Sequence, residues 1–144
     1  MDSRPAPVAK PAVSNQVLRI GLWVAQALLA LSFIGGGAWK LLTPIAALAQ
    51  AIPWAGQVPA SFLYLTALVD LCGGVGVVLP ALTRIKPGLT VLAALGCTLL
   101  QACAIAFHVS RGEAANTPFN FLLVALSLFV AWGRRFKAPI PARR

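Results

Sequence analysis

Charge is scarce in this sequence, and negative charge is scarcest. Of 144 residues 10% are charged, three of them acidic against twelve Lys and Arg, and there is one histidine. So little charge, beside 59% hydrophobic residues and a mean hydropathy of +0.83, excludes an ordinary soluble domain, in which about 25% of residues are charged. A single histidine excludes a bis-His haem site, and three cysteines without a CxxC pair or a Cys/His cluster carry no metal or dithiol signature. No catalytic motif is present and no cofactor or metal is implied, so the chain does not read as an enzyme by itself.

What is present is length in apolar runs. A membrane-crossing helix takes about 20 mainly apolar residues, and four runs qualify: Leu18 to Leu42, Ser61 to Leu79, Pro87 to Val109 and Pro118 to Gly133. The expected fold class is all-α, an integral-membrane bundle of four transmembrane helices forming one domain over residues 18–135. The first run follows a polar, proline-containing stretch, is too long for a signal-peptide core and lacks a small-x-small cleavage site, so it is expected to remain as a helix. Residues 1–17, with three prolines and little to bury, are expected to be a disordered tail. The basic tail at residues 136–144 reads the same way.

Twelve Lys and Arg report orientation before they report nucleic acid. With both termini cytoplasmic, all but Lys40 and Arg111 fall on the cytoplasmic side, which gives a multi-pass protein of the bacterial inner membrane with basic tails against anionic headgroups. Trp23 and Trp132 then lie near the cytoplasmic interface, and Trp39 and Trp54 near the outer one. Pro87 and Pro118 suit first helical turns, and Asn116 or Thr117 is positioned to cap the last helix. The connection from Thr43 to Ala60 is apolar but broken by three prolines, which predicts a short amphipathic helix at the outer surface.

One carboxylate, Asp70, stands in the middle of an apolar run, and such a residue is expected to face protein or water and to carry a role. Residues three or four apart share a helix face, which sets Thr66, Ala67, Gly73, Gly74 and Val77 beside Asp70. Gly73 and Gly74 are the expected helix-packing positions, because small residues let membrane helices approach closely. Each other run also has one polar stripe: Gln26, Ala30, Phe33, Gly37 and Lys40 in the first, Ala94, Cys97, Gln101, Ala104 and His108 in the third, Asn120 and Ser127 in the fourth. Pointed at a common axis, these stripes leave the large apolar side chains for lipid. By helical rise, Asp70 comes out near mid-membrane and Lys40, His108, Asn116 and Asn120 toward the outer end. The expectation is a polar cavity on the outer half, with Asp70 at its floor, Lys40 or His108 as counter-charge, and Gln101 and Asn120 as further ligand- or proton-site candidates. Arg111 and Glu113 read as a solvated loop pair. Cys72, Cys97 and Cys103 are expected to act as small apolar residues within the spans.

GGGAWKLL at the end of the first helix, LVDLCGGVGVVLPALTR through the second and its loop, His108 closing the third and Asn120 opening the fourth resemble the DoxX or DoxX-like family of small four-helix membrane proteins. Relatives often carry Glu where this chain has Asp70, which keeps the acid one methylene shorter and leaves open whether it reaches Lys40. The family name comes from a membrane subunit linked to quinone-dependent sulfur oxidation, and some members resemble membrane partners of thiol or oxidative-stress systems. The resemblance implies a protein that binds a quinone or other small amphiphile, or serves a redox or stress-related membrane complex with other membrane or periplasmic redox proteins. The alternatives are a non-enzymatic scaffold or partner subunit acting through its glycine-rich faces and, less favoured without inverted repeats or broken helices, a transporter subunit.

Overall fold

The computed structural model describes residues 13–143; the tail expectation for residues 1–12 lies outside that range. All the described elements are helical: α1 (Val13–Leu42), α2 (Ile45–Ala51), a 3-10 turn at Pro53–Gly56, α3 (Ala60–Thr83), α4 (Gly88–Ser110), a 3-10 turn at Ala114–Asn116, and α5 (Pro118–Trp132) running into a π-helical turn at Gly133–Lys137. Four of these helices are long and apolar enough to cross a membrane. They form a ring in which α3 and α5 flank α1, and the same two flank α4.

Periodicity decides which side of each helix faces in. Along α3 the buried residues are Leu63, Ala67, Asp70, Gly74, Val77 and Ala81, and along α4 they are Thr90, Ala94, Cys97 and Gln101, each set advancing by three or four. The outward sides carry exposed Leu31, Leu92 and Leu99, which is the distribution a lipid solvent selects. Cys97 is buried, whereas Cys72 and Cys103 are exposed, all three as free thiols.

Helices α1 and α3 meet through glycine on both partners. A Cβ on Gly37 would lie 2.7 Å from the Ala67 carbonyl oxygen, and one on Gly74 would lie 2.7 Å from Ile34 Cγ1 and 3.0 Å from Ile34 N. Backbone is the obstacle at Gly37, and Ile34 side chain and backbone together at Gly74, so only glycine lets the two helices lie this close.

Inward side chains change character along the bundle axis. At the end where α1 begins and α5 finishes are Gln26, Thr90, Ser127 and Arg134, all buried. Toward the other end are Lys40, Asp70, Gln101 and Asn120. Between the two layers sit Leu29, Phe33, Cys97 and Leu123, each 4% exposed or less, an apolar plug.

Several boundaries differ from expectation. Helix α3 does not stop at Leu79 but runs through Pro80 to Thr83, and Arg84 closes it in the left-handed region at φ 60°. Pro80 has no N–H to give the Gly76 carbonyl, and membrane helices tolerate such breaks. Thr117 occupies the cap position of α5, yet its hydroxyl donates to the Ala114 carbonyl at 2.7 Å instead of capping. The segment after Lys137, expected to be unstructured, packs on the α3–α4 turn: Arg143 N donates to the Arg84 carbonyl at 2.8 Å, Arg84 Nε donates to the Pro141 carbonyl at 3.2 Å, and Ala138 is buried. Pro139 and Pro141 fix φ and stiffen this stretch enough to lie along its neighbour.

Candidate functional site

The polar layer nearer the α1–α3 and α4–α5 connections is assembled from all four long helices. Lys40 occupies the last turn of α1 and Asp70 the middle of α3, and Lys40 Nζ lies 2.6 Å from Asp70 Oδ2. The lysine has four methylenes of reach, which compensates for the short acid. Both side chains are largely withdrawn from solvent, at 16% and 11% exposure, so each charge depends on the other for neutralisation. Opposite them, Asn120 Nδ2 donates to Gln101 Oε1 at 2.7 Å, tying α5 to α4. That bond leaves the Gln101 amide nitrogen as a donor and the Asn120 carbonyl as an acceptor.

These residues line a cavity of about 210 Å³ together with Thr66, His108, Trp54, Phe62, Phe107 and Cys103. Trp54 comes from the 3-10 turn between α2 and α3 and forms the roof. Its ring meets Phe107 edge-on at 5.7 Å between centroids and His108 at 6.4 Å, and Lys40 Nζ sits 5.8 Å from its centroid. The connection holds Trp54 there with a small core of its own, built from buried Leu48, Ala55 and Leu63. On the far side of Trp54 and His108 lies a second cavity of about 450 Å³, lined by Pro53, Glu113 and Asn116. The two rings are thus a partition between an outer vestibule and an inner chamber.

His108 is fixed from the vestibule side. Its Nδ1 lies 2.8 Å from Glu113 Oε2, and Arg111 Nε donates to Glu113 Oε1 at 3.1 Å, while Arg111 also donates to the Gln57 side chain. The bond to His108 first, and then Arg111, holds the Glu113 carboxyl below its ordinary 4.5. Glu113 therefore joins α4 to the loop before α5 and orients the imidazole, more than the solvated pair expected from the sequence.

Of the expected site residues, Asp70, Lys40, Gln101, His108 and Asn120 all line the inner chamber, whereas Asn116 lines the vestibule. Gly73 and Gly74 both pack inward: a Cβ on Gly73 would meet Cys97 Sγ at 2.8 Å, and Gly74 lies against α1. The sequence reading missed Trp54 as a roof and Glu113 as an anchor. A tryptophan held between Pro53 and Gly56, and an acid five residues after the only histidine, are the signals that point to them. Among the described residues no three His, Cys, Asp or Glu side chains gather as a metal set would. The chamber instead offers one ion pair, one amide donor and one amide acceptor within aromatic walls, which suits a small molecule carrying both a hydrogen-bond donor and an acceptor.

Residues 24–130 match the family model described as the DoxX-like family. The match spans well over half of the chain, and the protein belongs to that family. No curated protein and no solved structure matches the chain.

Proposed function

We propose that this DoxX-like membrane protein binds the polar headgroup of a small amphiphile, with a quinone as the leading class, in the chamber between Asp70, Lys40, Gln101 and Asn120. The observation that carries the reading is the Lys40–Asp70 pair set beside the Gln101–Asn120 pair in one aromatic-walled cavity of about 210 Å³. That volume is below the ~300–1,000 Å³ of pockets that enclose whole drug-sized ligands, so it fits a headgroup. Phe62 on α3 and Cys103 on α4, adjacent helices, line the chamber and are both exposed. This supports a lateral opening through which an apolar tail extends into lipid. A carbonyl of the headgroup accepts from Lys40 or the Gln101 amide, and Asp70 receives a hydrogen bond or a proton. The excess of Lys and Arg at the opposite end supports a chamber facing away from the cytoplasm, in a bacterial inner membrane.

A second reading, a scaffold for other membrane or redox proteins, draws on Gly35 and Gly36, at which an added Cβ meets nothing within 4 Å. Thermal melting of the purified protein in detergent with short-chain ubiquinone and menaquinone analogues separates the two. Binding is expected to raise the Tm of the wild type and to be lost in Asp70→Asn and in the doubly neutral Lys40→Gln/Asp70→Asn variant, which leaves no unpaired charge to unfold the bundle. A double variant that still binds, or a wild type that responds to no quinone, overturns the ligand reading.

A further inference from the structure

A second polar centre lies at the other end of the bundle, and the chamber does not use it. Arg134, in the turn that follows α5, is only 6% exposed. Its Nε donates to Gln26 Oε1 at 2.7 Å, its Nη1 makes a long 3.4 Å bond to the Ala138 carbonyl, and its guanidinium carbon stands 4.8 Å from the centre of the Trp23 ring. Gln26 is fixed in turn by donating its amide to the Val77 carbonyl of α3. The remaining nitrogen, Nη2, is sealed from solvent and has no hydrogen-bond partner. A buried guanidinium N–H without an acceptor is costly and uncommon in native proteins.

No described carboxylate answers that charge. Among the described residues the acids are Asp70, bonded to Lys40, and Glu113, bonded to His108 and Arg111, both on the far side of the apolar plug. Arg134 forms part of the wall of a cavity of about 270 Å³ that Arg19 and Arg84 also line, and of a neighbouring cavity of about 140 Å³ reached by Arg135. Pro139 and Ile140 line both cavities. Three guanidinium groups around one space repel each other unless an anion joins them. The planar fork of arginine matches a phosphate with two parallel hydrogen bonds. The same cavity is lined by Trp23 and Leu82, both exposed on the outside of the bundle, a surface that an acyl chain can follow.

We propose that the cavity between Arg19, Arg84 and Arg134 binds a phosphate group, supplied by an anionic phospholipid of the leaflet at that end. The phosphate accepts from Arg134 Nη2 in place of the weak Nη1 bond to Ala138, shifting the Pro139–Ile140 strap, while Arg19 and Arg84 contact it from the open side. Basic pockets between membrane helices recognise lipid headgroups in this way.

The test is native mass spectrometry of the full-length protein released from detergent with phosphatidylglycerol, phosphatidylcholine or oleate, with parallel melting curves that include inorganic phosphate. Phosphatidylglycerol is expected to stay bound in preference to phosphatidylcholine and oleate. Arg19→Gln/Arg84→Gln, at two exposed positions, is expected to weaken it about tenfold, as removal of charged hydrogen bonds does, with the lipid-free Tm lowered only by the loss of the exposed Arg84–Pro141 bond. Arg134→Lys, which keeps the charge but not the fork, weakens it as well. Stabilisation by millimolar inorganic phosphate as large as that by the lipid keeps the phosphate site but makes free phosphate its source. Equal retention of phosphatidylglycerol and oleate, or of phosphatidylglycerol by wild type and the Arg19/Arg84 variant, overturns the proposal.

Discussion

At the scale of single residues, both described acids are held by specific partners. Asp70 and Lys40 neutralise each other at 2.6 Å, and removal of one partner of a buried pair typically costs ~3–5 kcal/mol because the other charge is stranded. Asp70→Ala alone therefore confounds folding with binding, and the doubly neutral variant is the informative one. Glu113 gives a cleaner readout because it lies outside the spans. Its folded carboxyl is held below 4.5, chiefly by His108, so its contribution is fully present above about pH 4.5 and is lost as pH falls through the lower folded value. Melting in detergent from pH 7 to pH 3 is expected to show an acid-side decline that is shallower in Glu113→Gln, with the two proteins converging at the lowest pH. Parallel curves throughout would mean that Glu113 does not anchor His108. Asp70 was legible in the sequence because an acid in an apolar run stands out without any structure. Its contact with Lys40 was not, because thirty residues and an interhelical distance separate the two.

At the scale of elements, glycine has opposite consequences on two sides of α1. Gly37 and, across the interface, Gly74 of α3 are filled by neighbouring backbone and side-chain atoms, whereas Gly35 and Gly36 have nothing within 4 Å of an added Cβ. Gly74→Ala and Gly37→Ala are expected to destabilise the bundle by ~1–3 kcal/mol through overpacking. Gly35→Ala and Gly36→Ala are expected to be neutral or to stabilise by up to ~1 kcal/mol through helix propensity. Unfolding of the four variants in a detergent titration measures the contrast, and equal effects on both sides would mean that α1 and α3 do not meet as described. The inward stripes were readable because a period of 3.6 residues is written into apolar sequence. The run through Pro80 was not, because a membrane helix packed on its neighbours tolerates a proline that locally reads as a stop. Nor was the position of Trp54, since a loop broken by Pro44, Pro53 and Pro59 has no periodicity to project a side chain from. The packing of Ala138 and Pro141 against the Arg84 turn is likewise tertiary, and composition alone reads that stretch as loose.

At the scale of the whole molecule, four apolar helices, one polar chamber and one basic end are arranged along a single axis. Composition and hydropathy carried the architecture, and the family match over residues 24–130 agrees with it. The chemistry at the two ends was only partly legible, because it depends on which stripes converge at which height. Between the ends, Leu29, Phe33, Cys97 and Leu123 fill the bundle interior, and such a plug offers no relay of polar groups to a permeating ion. Planar-bilayer recordings and pH-dye liposomes containing the protein are expected to match protein-free controls, and a steady current or proton leak would mean that the plug opens. An ion moved fully across a membrane exchanges ~2.3 kcal/mol with each 100 mV of potential, and a blind chamber gives it no route to do so. A protein built this way is expected to be electrically silent, neither spending the voltage across its membrane nor being driven by it.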